Sequence, residues 1–166
     1  GNWPGVTVSK KEGDVKKELN KTGKKIRVVD LPGTYSLAAF TCEENITRDF
    51  VKKEAPDVII NIVDATNLSR SLLFTTQLLE LGIPLVVALN KSDLLDNKEI
   101  TIDTEKLAER LGCPVVETAS IEGKGLAGLI AAAAASVGKS QSAPFRPAVN
   151  SEAKTPTPVA AVDRER

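Results

Sequence analysis

Two long apolar runs rich in β-branched residues, Val58-Ile59-Ile60-Asn61-Ile62-Val63 and Ile83-Pro84-Leu85-Val86-Val87-Ala88-Leu89, narrow the folds open to this chain more than any other feature. Runs this continuous suit strands buried on both faces, the condition of a parallel sheet covered by helices. The strands are expected over 57–64 and 83–90. Between them, 68–81 reads as a helix with Leu72, Leu79 and neighbouring apolar residues on one stripe, and Gly82 falls where it would end. A helix over 103–111 closed by Gly112, a short strand over 114–117 and a helix over about 126–137 follow. Upstream, 42–54 has helical character, with Ile46, Phe50 and Val51 at core-facing spacing and Pro56 just beyond. Strands alternating with helices of ordinary length imply an α/β, doubly wound, mostly parallel sheet with right-handed crossovers and helices on both faces.

The stretch Ile26-Arg27-Val28-Val29-Asp30-Leu31-Pro32-Gly33 adds a different kind of information. It reads as a strand that ends in a carboxylate and then turns sharply. Val6-Thr7-Val8 suggests an edge strand running into the charged stretch 10–17, and 20–25 with Gly23 makes the turn back, so a hairpin whose lysines protect a sheet edge is expected. Ligands of open α/β sheets bind beyond the carboxyl ends of strands, which places Asp30 and the Gly33 N–H to face one. A carboxylate there suits a hydrated Mg²⁺, and a glycine lets the backbone approach a phosphate. Taken alone, Asp-Leu-Pro-Gly would also make an ordinary turn.

A second polar group stands at the end of the 83–90 strand: Asn90-Lys91-Ser92-Asp93. Asp93 can accept two hydrogen bonds from the ring N–H and exocyclic amine of guanine, Asn90 can donate to the base, and the Lys91 stem can lie over its face. Adenine presents the opposite pattern of donors and acceptors. The tetrapeptide alone is also a common solvated turn. Downstream of a strand-Asp-x-x-Gly unit it points to a guanine-nucleotide site.

Composition excludes several alternatives. Histidine is absent, which removes His-based acid–base chemistry and His-ligated metals. Cys42 and Cys113 show no C-x-x-C spacing, so neither a zinc site nor a disulfide framework is signalled. Lys plus Arg equals Asp plus Glu at 22 each, so no net field draws the chain to nucleic acid or an anionic surface. No stretch is long and apolar enough to span a bilayer; the longest low-charge run, 126–137, is mostly alanine.

The pairing of these motifs resembles the P-loop GTPases of the translation-factor class. That resemblance implies that Thr118-Ala119-Ser120 stands where the class has a Ser-Ala loop whose backbone meets guanine O6, with Ala and Ser exchanged in register. It also implies that Thr7 stands where a switch threonine puts its hydroxyl on Mg²⁺; otherwise Thr7 is a plain strand residue. The wording around the motifs is more specific. Gly1-Asn2-Trp3-Pro4-Gly5-Val6-Thr7-Val8, Asp30-Leu31-Pro32-Gly33-Thr34-Tyr35-Ser36-Leu37, Asn61-Ile62-Val63-Asp64-Ala65-Thr66-Asn67-Leu68 and Thr75-Thr76-Gln77-Leu78-Leu79-Glu80-Leu81-Gly82 resemble the cytoplasmic G domain of the ferrous iron transport protein B (FeoB) family.

The resemblance covers about 1–137, and 138–166, rich in Pro, Ala, Ser and charge, reads as a linker or the start of a following element. It implies a G domain at the cytoplasmic face of the cell membrane, GTP/GDP and Mg²⁺ as ligands, a membrane permease region and guanine nucleotide as partners, no nucleic acid, and an oligomer possible through the parent. Asp30, expected to act through water, and Thr7 would attend Mg²⁺, the Gly33 N–H the γ-phosphate, and Asn90, Lys91 and Asp93 the base. The phosphate loop G-x-x-x-x-G-K-[ST], its strand and its helix are not among these 166 residues. The strand is expected between the Asp30 strand and the 57–64 strand, which makes the chain read as a fragment. Gly138-Lys139-Ser140 does not replace the loop, because Ala133 occupies the first glycine's place. No residue is identifiable as a general base. Two other readings share part of the pattern: a degenerate, nucleotide-independent interaction module, and a soluble ribosome- or RNA-associated GTPase.

Overall fold

A computed structural model of the chain describes residues 11–31, 49–50, 53–91 and 101–139. In chain order these form β1 (Lys11–Asp14), β2 (Arg27–Asp30), β3 (Ile59–Asp64), a 3-10 turn (Ala65–Asn67), α1 (Leu68–Leu79), β4 (Leu85–Asn90), α2 (Thr104–Leu111), β5 (Val115–Thr118) and α3 (Leu126–Ser136). β3, β4 and β5 make a parallel sheet in that order, and β1 and β2 make a separate antiparallel pair.

β4 is the axis of the core, and its alternation explains why. Leu85, Val87 and Leu89 enter one apolar cluster with Ile59, Val63, Leu78, Leu79 and Leu111. Val86 and Ala88, pointing the other way, join Leu129 and Ala133 of α3. A strand whose successive side chains meet a helix layer on each face needs apolar residues at every position, and all five are at most 2% exposed. The doubly wound arrangement expected from the sequence is thus present, with α1 and α3 on opposite faces.

β3 corrects one expectation. Ile59, Asn61 and Val63 are buried on the α1 side, but Ile62 is 69% exposed. Among the described residues β3 pairs with β4 along one edge, and on its other face Ile60 and the preceding Val58 pack against the α3 cluster. β-branched composition therefore identified the strand without identifying how much of it is covered. Asn61 is buried within the run because its Nδ2 donates to the Thr75 hydroxyl of α1 at 2.7 Å, and that hydroxyl donates to the Ser71 carbonyl at 3.2 Å.

Local signals set the helix ends. The Asp103 carboxylate accepts from the Lys106 backbone N–H at 2.9 Å, capping α2, and that bond with the Lys106 ammonium holds the carboxyl below its ordinary range. Gly112 closes the helix at φ 69°, donating to the Ala108 carbonyl at 2.9 Å. α1 ends at Leu79, three residues before Gly82. Residues 49–50 and 53–54 are helical, with Phe50 buried.

The hairpin is present, but its first strand lies within the charged stretch: Lys11 pairs with Asp30 and Asp14 with Arg27. The expected strand at Val6-Thr7-Val8, and residues 140–166, lie outside the described residues.

Candidate functional site

Parallel pairing brings the carboxyl ends of three strands level. Asp64 stands opposite Asn90, and Asn90 opposite Thr118. Each ends its strand with a polar side chain, so the sheet closes in a row of hydrogen-bonding groups at the edge where open parallel sheets bind ligands.

Asn90 is the centre of that row. Its Oδ1 accepts from the Ser120 backbone N–H at 3.2 Å, from the Ser120 hydroxyl at 3.0 Å and, more distantly, from the Thr118 hydroxyl at 3.4 Å. Three donors converge on a carbonyl with two lone pairs, so one of them can turn to a ligand at small cost. The amide Nδ2 takes part in none of these bonds and is the group that can donate to a base.

The segment after β5 is a closed turn. Ala119 and Lys124 exchange backbone hydrogen bonds at 3.2 Å, Glu122 N–H donates to the Ala119 carbonyl at 3.0 Å, and Gly123 N–H to the Ser120 carbonyl at 3.3 Å. Gly125 makes the closure possible: it has φ 76°, and a Cβ there would lie 2.1 Å from the Glu117 carbonyl oxygen. The Ala119 and Ser120 amides, expected to face a base oxygen, both have protein acceptors in this structure. Reaching a ligand requires Ser120 N–H to leave Asn90, whose carbonyl keeps the Ser120 hydroxyl.

Lys91 adopts φ 63°, the left-handed region that a lysine occupies at a cost. Its ammonium lies 2.7 Å from Asp64 Oδ2, while Asp64 Oδ1 accepts from the Thr66 N–H at 2.9 Å and its hydroxyl at 2.6 Å. Partial burial raises the Asp64 pKa, but the bonds from Lys91 and Thr66 outweigh it and hold the carboxyl below its ordinary value. Asp64 is the member of this row of strand-end groups that motif reading did not single out. Its available signal was position, since it ends the strand that neighbours the one ending in Asn90.

The structure thus brings Asn90, Lys91, Thr118, Ala119 and Ser120 together. Asp30 stands exposed at the end of β2, on the separate hairpin, as a hard oxygen donor of the kind Mg²⁺ takes directly or through water. Thr7, Gly33 and Asp93 lie outside the described residues. Among the described residues no three carboxylates or thiols cluster as a metal centre. Burial pushes the Cys113 thiol up to about 11, so it is not a nucleophile at neutral pH. No helix among the described residues is long and apolar enough to cross a membrane.

Residues 1–133 match the family model described as ferrous iron transport protein B. The chain is 45% identical over 133 residues to the Fe(2+) transporter FeoB of Salmonella typhimurium, a match covering 78% of this chain and 17% of that protein. It is 44% identical over the same length to the Fe(2+) transporter FeoB of Escherichia coli K12. The chain therefore spans about a sixth of the length of these curated relatives, from the 17% covered. Among solved structures it is similar to the cytosolic domain of L. pneumophila FeoB, with 40% identity and a TM-score of 0.73 over 88% of this chain and 60% of that one. It is also similar to a GDP-bound mutant of S. thermophilus NFeoB, with 44% identity and a TM-score of 0.71 over 82% and 52%. A third likeness is to the cytosolic domain of the T. maritima FeoB iron transporter in its GMPPNP form, with 36% identity and a TM-score of 0.72 over 85% and 54%.

Proposed function

Because this chain belongs to the ferrous iron transport protein B family, we propose that it supplies the base-reading part of a guanine-nucleotide-binding G domain. In this reading 1–137 is part of the G domain and 138–166 leads to a following element. The domain works at the cytoplasmic face of the membrane beside a permease region that carries Fe²⁺, and GTP binding and hydrolysis are coupled to iron uptake.

The observation that most supports the reading is the junction of Asn90 with Ser120 and Thr118, which joins two segments distant in sequence at the carboxyl edge of the sheet. Asn90 Nδ2 donates to the base and Asp93 accepts from its N–H groups. The Ser120 N–H is the donor for guanine O6, and the Lys91 stem covers a face of the ring. Asp30 and Thr7 attend Mg²⁺, which neutralises phosphate charge when bound, and the Gly33 N–H holds the γ-phosphate. The GDP- and GMPPNP-bound relatives support guanine nucleotide as the ligand class.

The test uses the chain with a family-type strand, phosphate loop and helix joined ahead of Gly1. It is expected to bind guanine nucleotides with Mg²⁺. Asp93→Asn should weaken GTP binding about 10–150-fold and favour xanthine nucleotides, whose C2 carbonyl accepts from the new amide. Thr7→Ala should spare GDP, since that hydroxyl reaches the metal only when the γ-phosphate orders its segment. Equal loss of GDP and GTP in both variants, with no gain for xanthine, would overturn the assigned roles.

A further inference from the structure

Net neutrality conceals a segregation of charge in the β1–β2 hairpin. Val15 N–H donates to the Ile26 carbonyl at 2.9 Å, extending the pairing beyond the strands. The connection then folds on itself. The Lys16 carbonyl accepts from Leu19 N–H at 3.1 Å and Asn20 N–H at 3.0 Å, and Asn20 Nδ2 donates to the Lys24 carbonyl at 2.7 Å. Asn20 Oδ1 accepts from the Thr22 N–H at 3.1 Å and its hydroxyl at 2.6 Å. Residues 16–24 therefore form a compact knob.

At the base of this knob positive charge is answered. Lys25 lies 3.2 Å and Arg27 3.5 Å from the Asp14 carboxylate, and these two cations, Lys25 first, hold that carboxyl below its ordinary range. On the knob it is not. Lys16, Lys17, Lys21 and Lys24 are all exposed and none is ion-paired to a described residue. Glu18 is the one acid in the same nine residues, so four charges less one leave +3 there in a chain of net charge zero.

We propose that this lysine knob is a docking surface for an anionic phospholipid bilayer. The side chains favour a lipid over a nucleic acid. All four cations are lysines, compact hydrated charges suited to a diffuse anionic surface, and residues 16–24 hold no arginine whose planar fork could read a base edge. Residues 15–26 contain no aromatic side chain on which a base could stack. The fold is shared with cytosolic domains of a transporter, for which a bilayer is the nearest extended charged surface. A knob held by its own backbone bonds presents the lysines together without a large ordering cost.

The full 166-residue chain is tested by co-sedimentation with neutral phosphatidylcholine vesicles and with vesicles containing about 30 mol% phosphatidylglycerol, in about 0.05 M and 0.5 M salt. Binding is expected to the anionic vesicles at low salt, at least about ten-fold tighter than to neutral ones, and to vanish at high salt. The Lys16→Gln/Lys17→Gln variant should lose roughly 25-fold, about five-fold per lysine, while Lys53→Gln/Lys106→Gln, with an equal charge change elsewhere, should retain binding. Far-ultraviolet circular dichroism checks that both variants stay folded. Binding indifferent to phosphatidylglycerol, equal loss in the two variants, or preference for a short RNA duplex over the anionic vesicles would each overturn the assignment.

Discussion

Asn90 and Ser120, thirty positions apart, are joined by two hydrogen bonds, from the Ser120 backbone N–H and hydroxyl to the Asn90 side-chain carbonyl at 3.2 and 3.0 Å. The contact closes the carboxyl edge of the sheet and makes one unit of the ends of β4 and β5. The 119–124 turn is closed by its own backbone bonds, and these two bonds tie it to the end of β4.

Asn90→Ala should therefore loosen the 119–124 turn as well as remove the proposed donor to a base. It deletes the acceptor of the Ser120 hydrogen bonds, each with a net contribution of about 0.5–1.5 kcal/mol. Amide exchange at Ser120 is expected to accelerate, with little change in the core of β4. Unchanged protection at Ser120 would mean that the junction does not order the turn.

Thr75→Val should cost about 1–3 kcal/mol, because it leaves the buried Asn61 amide without its 2.7 Å acceptor. Adding Asn61→Val should recover much of that loss, since an apolar pair leaves no polar group unsatisfied. Urea unfolding of the two single variants and the double variant measures the coupling. Additive losses would show that the two side chains do not act as a pair.

The Asp64–Lys91 ion pair gives a pH dependence of definite sign. The folded-state pKa of Asp64 is depressed, so its contribution is present above the ordinary carboxyl value near 3.8 and is lost as pH falls through the lower folded value. The stability difference between the wild-type chain and Asp64→Asn should stay constant from neutrality down to about pH 5 and shrink in the acid range below. Urea titrations across that range test it. A difference that widened on acidification would contradict the assigned pair.

Much of this was legible in the sequence because the signals are local. Asp103 and Gly112 bound α2 through bonds within one or two helical turns, and the run around β4 is apolar at every position because it meets a helix layer on each face. The strand over 114–117 lies one residue later, at Val115–Thr118, since register with β4 decides its limits. Asn90 could be singled out as a candidate site residue because its spacing to Asp93 is a property of the chain.

Tertiary structure decided what depends on neighbours. Ile62 is as β-branched as Val63, yet one is 69% exposed and the other 0%, because opposite faces of β3 meet different coverage. The Asp64–Lys91 pair and the Ser120 bonds to Asn90 arise only when parallel register sets strand ends side by side. Sequence alone determined which residues could bury, cap or donate, since these are properties of single side chains and short spacings. Which of them met was settled by packing, since burial and hydrogen bonding are relations between segments that the order of residues leaves open.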